Sequence, residues 1–123
     1  VLVSDASVDV YNPRVVRASA GSVFHVPIVT GLPVETILGE MRHAGLRLFA
    51  ADGAAAESLD DADLTSAHAW VMGNEAWGLP ESTRDACDAV VRVPIYGQAE
   101  SLNLAMATTI CLYASARQQR THR

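Results

Sequence analysis

The sequence predicts an α/β fold in which helices cover both faces of a mostly parallel sheet. Short apolar runs rich in Val, Ile and Leu alternate with segments of helical periodicity, a pattern typical of β-α units. The chain has 123 residues, a length that suits one globular domain and is too short for two. Half of these residues are hydrophobic, which is enough for the core of such a domain. We therefore predict one domain with a layered α/β architecture.

Five apolar runs are predicted to form the strands of this sheet. Each is short, rich in apolar or β-branched side chains and bounded by residues that favour turns. The predicted strands are residues 1–3, 24–29, 46–51, 69–72 and 89–93.

Two helices are predicted between the first three strands. Asn12 and Pro13 supply an N-cap and a first-turn proline, and Gly21 ends that helix. The second helix covers residues 34–44, where apolar side chains recur at i, i+3, i+4 and i+7, and it stops at Gly45.

The second half of the chain is predicted to contain an acidic connection and two further helices. Residues 52–66 are rich in Asp and Ala, and we interpret them as a surface segment. Pro80 opens a short helix, and Ser101 is predicted to cap a last helix over residues 102–117. Helical spacing on that last helix indicates that Cys111 is a core thiol.

Composition restricts the classes of function. The formal net charge of −5 argues against a surface that wraps nucleic acid, because Lys and Arg supply most phosphate affinity. Two cysteines without CxxC spacing predict a reducing, cytoplasmic compartment, and no apolar run is long enough to span a membrane. The basic cluster at the end of the chain is interpreted as a solvated helix end. It consists of Arg117, Arg120, His122 and Arg123.

Three loops at the ends of predicted strands are the candidate site: residues 50–53, 73–79 and 94–103. In a parallel sheet, ligands bind where such loops converge, and the glycines in these loops allow close approach of main chain. The chain has no GxGxxG, GxxxxGK[ST] or GxSxG motif, which disfavours a dehydrogenase, a P-loop protein and a serine hydrolase. No metal site is predicted, because the histidines lack ligand spacing. They are His25, His43, His68 and His122.

Two of these loops carry long motifs. Residues 72–79 read MGNEAWGL and residues 93–105 read VPIYGQAESLNLA. They resemble the second and third signature motifs of the SpoU (TrmH) family of RNA ribose methyltransferases. Residues 12–27 are similar to the segment that this family places before its central strands, so the resemblance covers nearly the whole chain.

The resemblance implies a SPOUT-type fold with a deep trefoil knot at its C-terminal end. It also implies binding of S-adenosylmethionine in the knot and a homodimer with the site near the subunit interface. The implied activity is methyl transfer to a ribose 2′-hydroxyl of ribosomal or transfer RNA. On this interpretation residues 1–123 are the C-terminal portion of a SPOUT-type catalytic domain.

The resemblance further implies roles for seven residues. Those matching the family's cofactor-binding positions are Ala51, Gly73, Val93 and Leu102. Those matching its polar positions near the reacting centre are Glu75, Ser101 and Asn103. A purely structural alternative is that Ser101 caps the last helix, Glu75 caps the turn and Asn103 is satisfied by nearby backbone.

One part of the family pattern is missing. The first motif, an Asn and an Arg, is absent, and Arg17 does not replace that Arg because it matches a different family position. Since the chain also starts with Val-Leu-Val and no Met, we expect an RNA-recognising segment to precede Val1. The alternative is a non-catalytic module that binds S-adenosylmethionine or mediates dimerisation.

Overall fold

The computed structural model of the protein describes residues 1–121, so His122 and Arg123 of the predicted basic tail lie outside the described residues. By their internal contacts these residues form two compact units, one from Val1 to Glu40 and one from Met41 onward. Both units combine helices with parallel strands, which confirms the α/β class. None of the helices formed by residues 1–121 is long and apolar enough to cross a bilayer.

The first unit contains a pair of parallel strands, β1 (Leu2–Ser4) and β2 (Val29–Leu32). Between them lies helix α1 (Pro13–Ala18), followed by a 3₁₀ turn at Ser22–Phe24. The predicted strand at residues 24–29 is therefore wrong, and pairing starts only at its last residue. Pro27 lies inside the predicted run and has no N–H to donate to a ladder, which explains the shift.

Both predicted helices of this region are confirmed, but the first ends at Ala18 and not at the predicted Gly21, which instead precedes the 3₁₀ turn with a φ of 88°. Asn12 Oδ1 accepts a hydrogen bond from the N–H of Arg14 at 2.9 Å, as expected of an N-cap. Helix α2 (Val34–His43) ends where Gly45 adopts a φ of 80°. The Gly45 N–H donates to the carbonyl of Arg42, at 2.9 Å, and the next N–H reaches back to Met41. This is the Schellman geometry that favours glycine.

The second unit contains a four-stranded parallel sheet in the order β4-β6-β3-β5. The strands are β3 (Arg47–Ala51), β4 (Glu57–Ser58), β5 (His68–Val71) and β6 (Ala89–Arg92). Because β3 lies between β5 and β6, the carboxyl ends of these three strands are neighbours. The sheet thus brings together the three loops singled out from the sequence.

The acidic segment at residues 52–66 is more than the predicted surface connection, and that prediction is corrected. It contains β4, and Leu59, Ala62 and Leu64 belong to the core together with Phe49, Val91 and Cys111. Gln118 of the last helix holds the segment, because its side chain accepts from the N–H of Leu64 and donates to the carbonyl of Ala62, both at 2.9 Å. The many acidic side chains around these apolar positions hid them in the sequence.

Two helices complete the second unit: α3 (Glu81–Asp85), which follows Pro80 as predicted, and α4 (Leu104–Thr121). Cys111 of α4 is 1% exposed, which confirms it as a core thiol, and burial raises its pKa to about 11. Ser115 ties α4 to β5, since its Oγ accepts from Trp70 Nε1 at 2.9 Å. Both cysteines of the chain are free thiols.

Candidate functional site

A cavity of about 440 Å³ opens at the carboxyl ends of β3, β5 and β6. Its volume lies within the range of small-molecule sites, and all its lining residues belong to the second unit. The first loop contributes Ala51, Asp52 and Gly53, and the second contributes Met72, Asn74, Glu75 and Gly78. The third loop and the start of α4 contribute Val93, Ile95, Glu100, Ser101, Leu102, Asn103, Leu104 and Ala107.

The second loop is a closed turn that holds its own shape. Asn74 and Gly78 exchange backbone hydrogen bonds of 3.3 and 3.0 Å. The Asn74 side-chain oxygen also accepts from the N–H groups of Ala76, at 3.0 Å, and Trp77, at 2.7 Å. This bonding fixes the backbone on both sides of Glu75.

Gly73 is required for the closure of that turn. A Cβ at this position would lie 2.4 Å from the carbonyl carbon of Gly78 and 2.7 Å from the nitrogen of Leu79. Gly73 is not among the residues that line the cavity. A side chain here would therefore first collide with the turn itself.

Asn103 connects the second and third loops. Its Oδ1 accepts from the N–H groups of Ala105, at 2.9 Å, and Met106, at 3.3 Å, so Asn103 is the N-cap of α4. The predicted cap, Ser101, is wrong, because the helix starts two residues later than its apolar pattern suggested. The Asn103 Nδ2 also donates to Glu75 Oε1 over a long 3.4 Å. The two polar residues thus face each other in the cavity.

The structure brings together six of the seven predicted site residues. Ala51, Val93 and Leu102 form apolar wall, and Glu75, Ser101 and Asn103 supply polar groups. Apolar walls with a few convergent polar groups are typical of sites for nucleoside-sized ligands. Gly73 is the exception, since it shapes the turn without lining the cavity.

Asp52 and Arg84 are site features that the sequence analysis missed. The Asp52 carboxylate accepts from the N–H of Ala54 at 2.9 Å and forms an ion pair of 2.7 Å with the Arg84 guanidinium. The Ala54 N–H, followed by Arg84, lowers the pKa of Asp52. Asp52 could have been noticed as the acid directly after a strand, but its partner lies 32 residues away and no local pattern indicates it.

The charge of the cavity lining is negative. It includes the carboxylates of Glu75 and Glu100, together with that of Asp52, whose charge the Arg84 guanidinium compensates, and no Arg, Lys or His side chain. Such a lining favours a cationic ligand and disfavours a phosphate. Among residues 1–121, no group of three or more His, Cys, Asp or Glu side chains could hold a metal ion.

Comparisons with known proteins agree with this geometry. Residues 1–113 match the model of the SpoU rRNA Methylase family. The chain is 37% identical over 108 residues to the 23S rRNA (guanosine-2′-O-)-methyltransferase RlmB of Bordetella pertussis, a match that covers 88% of this chain and 44% of the relative. It is 35% identical over 105 residues to an uncharacterized tRNA/rRNA methyltransferase of Mycolicibacterium smegmatis, covering 85% and 33%. The chain therefore spans less than half the length of these curated relatives.

A solved structure extends the match to the fold. The SpoU methyltransferase AviRb from Streptomyces viridochromogenes, in complex with the cofactor AdoMet, superposes with a TM-score of 0.88 at 34% identity. The superposition covers 98% of this chain and 49% of AviRb.

Proposed function

This chain belongs to the SpoU rRNA Methylase family, and we propose that it binds S-adenosylmethionine and takes part in methyl transfer to a ribose 2′-hydroxyl of RNA. The RNA class that its relatives suggest is rRNA or tRNA. The observation that carries the proposal is the cavity. Six of the seven site residues that the sequence predicted line it, at the ends of three strands.

The residues of the cavity fit a sulfonium nucleoside. Ala51, Val93 and Leu102 offer an apolar surface for the adenosyl group, and the turn that Gly73 closes offers main chain beside it. The cofactor carries positive charge at its sulfur, and Glu75 supplies a carboxylate in the same cavity. Bound there, the cofactor would supply the methyl group.

Ser101 and Asn103 are proposed to orient the ribose. Methyl transfer requires that the 2′-oxygen is aligned with the methyl group; a C–O bond would form as the methyl–sulfur bond breaks, leaving a neutral thioether, and the hydroxyl proton would be released to water. Alignment is the larger contribution to lowering the barrier. Fixed geometry can supply about 7–11 kcal/mol, whereas a general base accelerates the step about 10²–10⁴-fold, which corresponds to about 3–5 kcal/mol. Asn103 suits this role because its Oδ1 is held by the start of α4 while its amide group faces the cavity.

Dimerisation is proposed to occur through α4. Met106, Ile110 and Tyr113 are spaced i, i+4 and i+7 and are 63%, 40% and 67% exposed, so they form an apolar stripe on one helix face. The stripe starts next to Ala107, which lines the cavity. A homodimer through this stripe would place the site near the subunit interface. Light scattering on the protein tests this, and a monomer mass at micromolar concentration would contradict it.

The remaining proposals extend the family relationship. We propose that the chain is the C-terminal portion of a SPOUT-type catalytic domain, that its C-terminal end forms a trefoil knot, and that it acts in the cytoplasm. The first of these is in line with a match to less than half of the relatives' length, which shows that the chain corresponds to a part of them.

Two measurements test the activity. Calorimetric titration with S-adenosylmethionine should give saturable binding that Val93→Asp abolishes, because a carboxylate there would replace apolar wall. Tritium from labelled cofactor should enter rRNA or tRNA that lacks the modification. Cofactor binding without transfer to any RNA would instead support the non-catalytic module.

A further inference from the structure

Trp77 presents a large apolar ring to solvent on the turn that contributes to the cavity lining. Its side chain is 86% exposed, and its neighbours Glu75 and Gly78 both line the cavity. The other tryptophan, Trp70, is half-buried and its Nε1 donates to Ser115. An aromatic ring normally stabilises a fold by being buried, so a fully presented ring next to a site indicates contact with a ligand.

The turn fixes the backbone that carries this ring. The Trp77 N–H donates to Asn74 Oδ1 at 2.7 Å, and the Gly78 N–H donates to the Asn74 carbonyl at 3.0 Å. With the backbone fixed, only the two χ angles of the side chain remain to be ordered when a ligand binds. An aromatic side chain with only two χ angles gives contact area at a low cost in conformational entropy.

The charge of the cavity lining limits which part of an RNA can approach this turn. The carboxylates of Glu75 and Glu100 repel phosphates, whereas that of Asp52 is paired with Arg84, and no basic side chain lines the cavity. Stacking on the face of a base does not require charge, and RNA-binding proteins commonly stack unpaired bases on aromatic rings. A ribose that enters the cavity must bring its base and the adjoining bases to the rim.

We infer that Trp77 stacks on a base of the RNA substrate, at the target nucleotide or at one adjoining it, and so positions the ribose. This inference rests on the proposed function. Trp77 is a positioning residue in this scheme and takes no part in bond making. Cofactor affinity should therefore not depend on it.

Two substitutions test the inference through their effects on the KM for RNA and on the Kd for S-adenosylmethionine. Trp77→Leu keeps apolar bulk without a π face, and it should raise KM for RNA about tenfold while the Kd for S-adenosylmethionine stays unchanged. Trp77→Phe retains a stacking ring and should stay within about threefold of the wild type. Phe24→Leu removes another ring that is 76% exposed, in the first unit, and should leave KM unchanged.

Fluorescence gives a readout that does not depend on activity. A single-stranded oligonucleotide that spans the target should quench the tryptophan emission of the wild type, and this quenching should be absent from Trp77→Phe. Persistent quenching in Trp77→Phe, or an unchanged KM in Trp77→Leu, overturns the inference. A change from dimer to monomer in Trp77→Leu would also overturn it, because the ring would then contact a second copy.

Failure of the proposed function would look different. In that case the wild-type protein would transfer no methyl group to any RNA. If only the stacking inference fails, the wild type transfers methyl groups and the Trp77→Leu variant matches it.

Discussion

Asn103 has two roles that substitutions can separate. Its Oδ1 caps α4 through the N–H groups of Ala105 and Met106, whereas its Nδ2 donates to Glu75. Asn103→Ala removes both roles. Asn103→Ser keeps an oxygen that can cap the helix and removes the amide donor. The alanine and serine variants together therefore distinguish a stabilising residue from one that orients the substrate.

The expected changes in stability follow from the contacts. Replacing an N-cap by alanine costs about 1 kcal/mol, and the exposed 3.4 Å contact with Glu75 adds little to this. For a chain of this size, about 1 kcal/mol lowers Tm by roughly 4 °C. We expect this decrease for Asn103→Ala and less than about half of it for Asn103→Ser. Both variants should lose about 100-fold or more in kcat/KM, because neither can orient the ribose.

Thermal unfolding followed by circular dichroism and methyl transfer from tritiated cofactor measure the two quantities. Asn12→Ala is the matched control, because Asn12 caps α1 through Arg14, at 2.9 Å, and lies outside the cavity lining. It should lower Tm without changing the rate. A serine variant at Asn103 with the wild-type rate would refute the orienting role. Equal rate losses in Asn12→Ala and Asn103→Ala would refute it as well, since stability alone would then explain both.

Three further outcomes are expected. Gly73→Ala should lower the free energy of unfolding by about 2 kcal/mol or more in chemical denaturation, because its Cβ meets backbone at 2.4 Å; Gly39→Ala, in open space on α2, should be neutral or stabilising. The folded-state pKa of Asp52 is lowered, so its carboxylate adds stability above its unfolded pKa of about 4. Denaturation across pH should show the wild type as more stable than Asp52→Asn at pH 7, with the difference lost as pH falls below about 4. Cys111, with a pKa of about 11, should resist a thiol reagent at pH 8 until the protein unfolds, which a Cys87→Ser variant can show without interference; labelling of the folded variant would contradict this.

The sequence predicted the ends of helices correctly where a single residue determines where the helix begins or ends. Asn12 and Gly45 fix helix ends through their own hydrogen bonds or φ angles, and these need no distant partner. The prediction of a strand at residues 24–29 was wrong because it gave more weight to the apolar composition of this run than to the missing N–H of Pro27. The acidic segment failed for a different reason, since Leu64 is buried by contacts from α4, which begins 40 residues later.

The candidate site was predictable to the extent that it is built from strand ends. The parallel order β5-β3-β6 brings the three loops together. The alternation of apolar runs with helical segments in the sequence already indicated a parallel sheet. The ion pair between Asp52 and Arg84 was not predictable, because it depends on where α3 lies relative to β3. The choice of Asn103 over Ser101 as the cap was also beyond the pattern, since both are good N-cap residues two positions apart.

The charge of the cavity implies that cofactor and RNA are attracted by different parts of the protein. The carboxylates of Glu75 and Glu100 suit a sulfonium cation, and the same carboxylates oppose the phosphates on either side of a target ribose. Under the proposed function, the affinity for RNA would therefore come from stacking and from cations outside the cavity lining. An acidic site can thus act on an anionic substrate, provided that the nucleotide enters through its uncharged base and ribose.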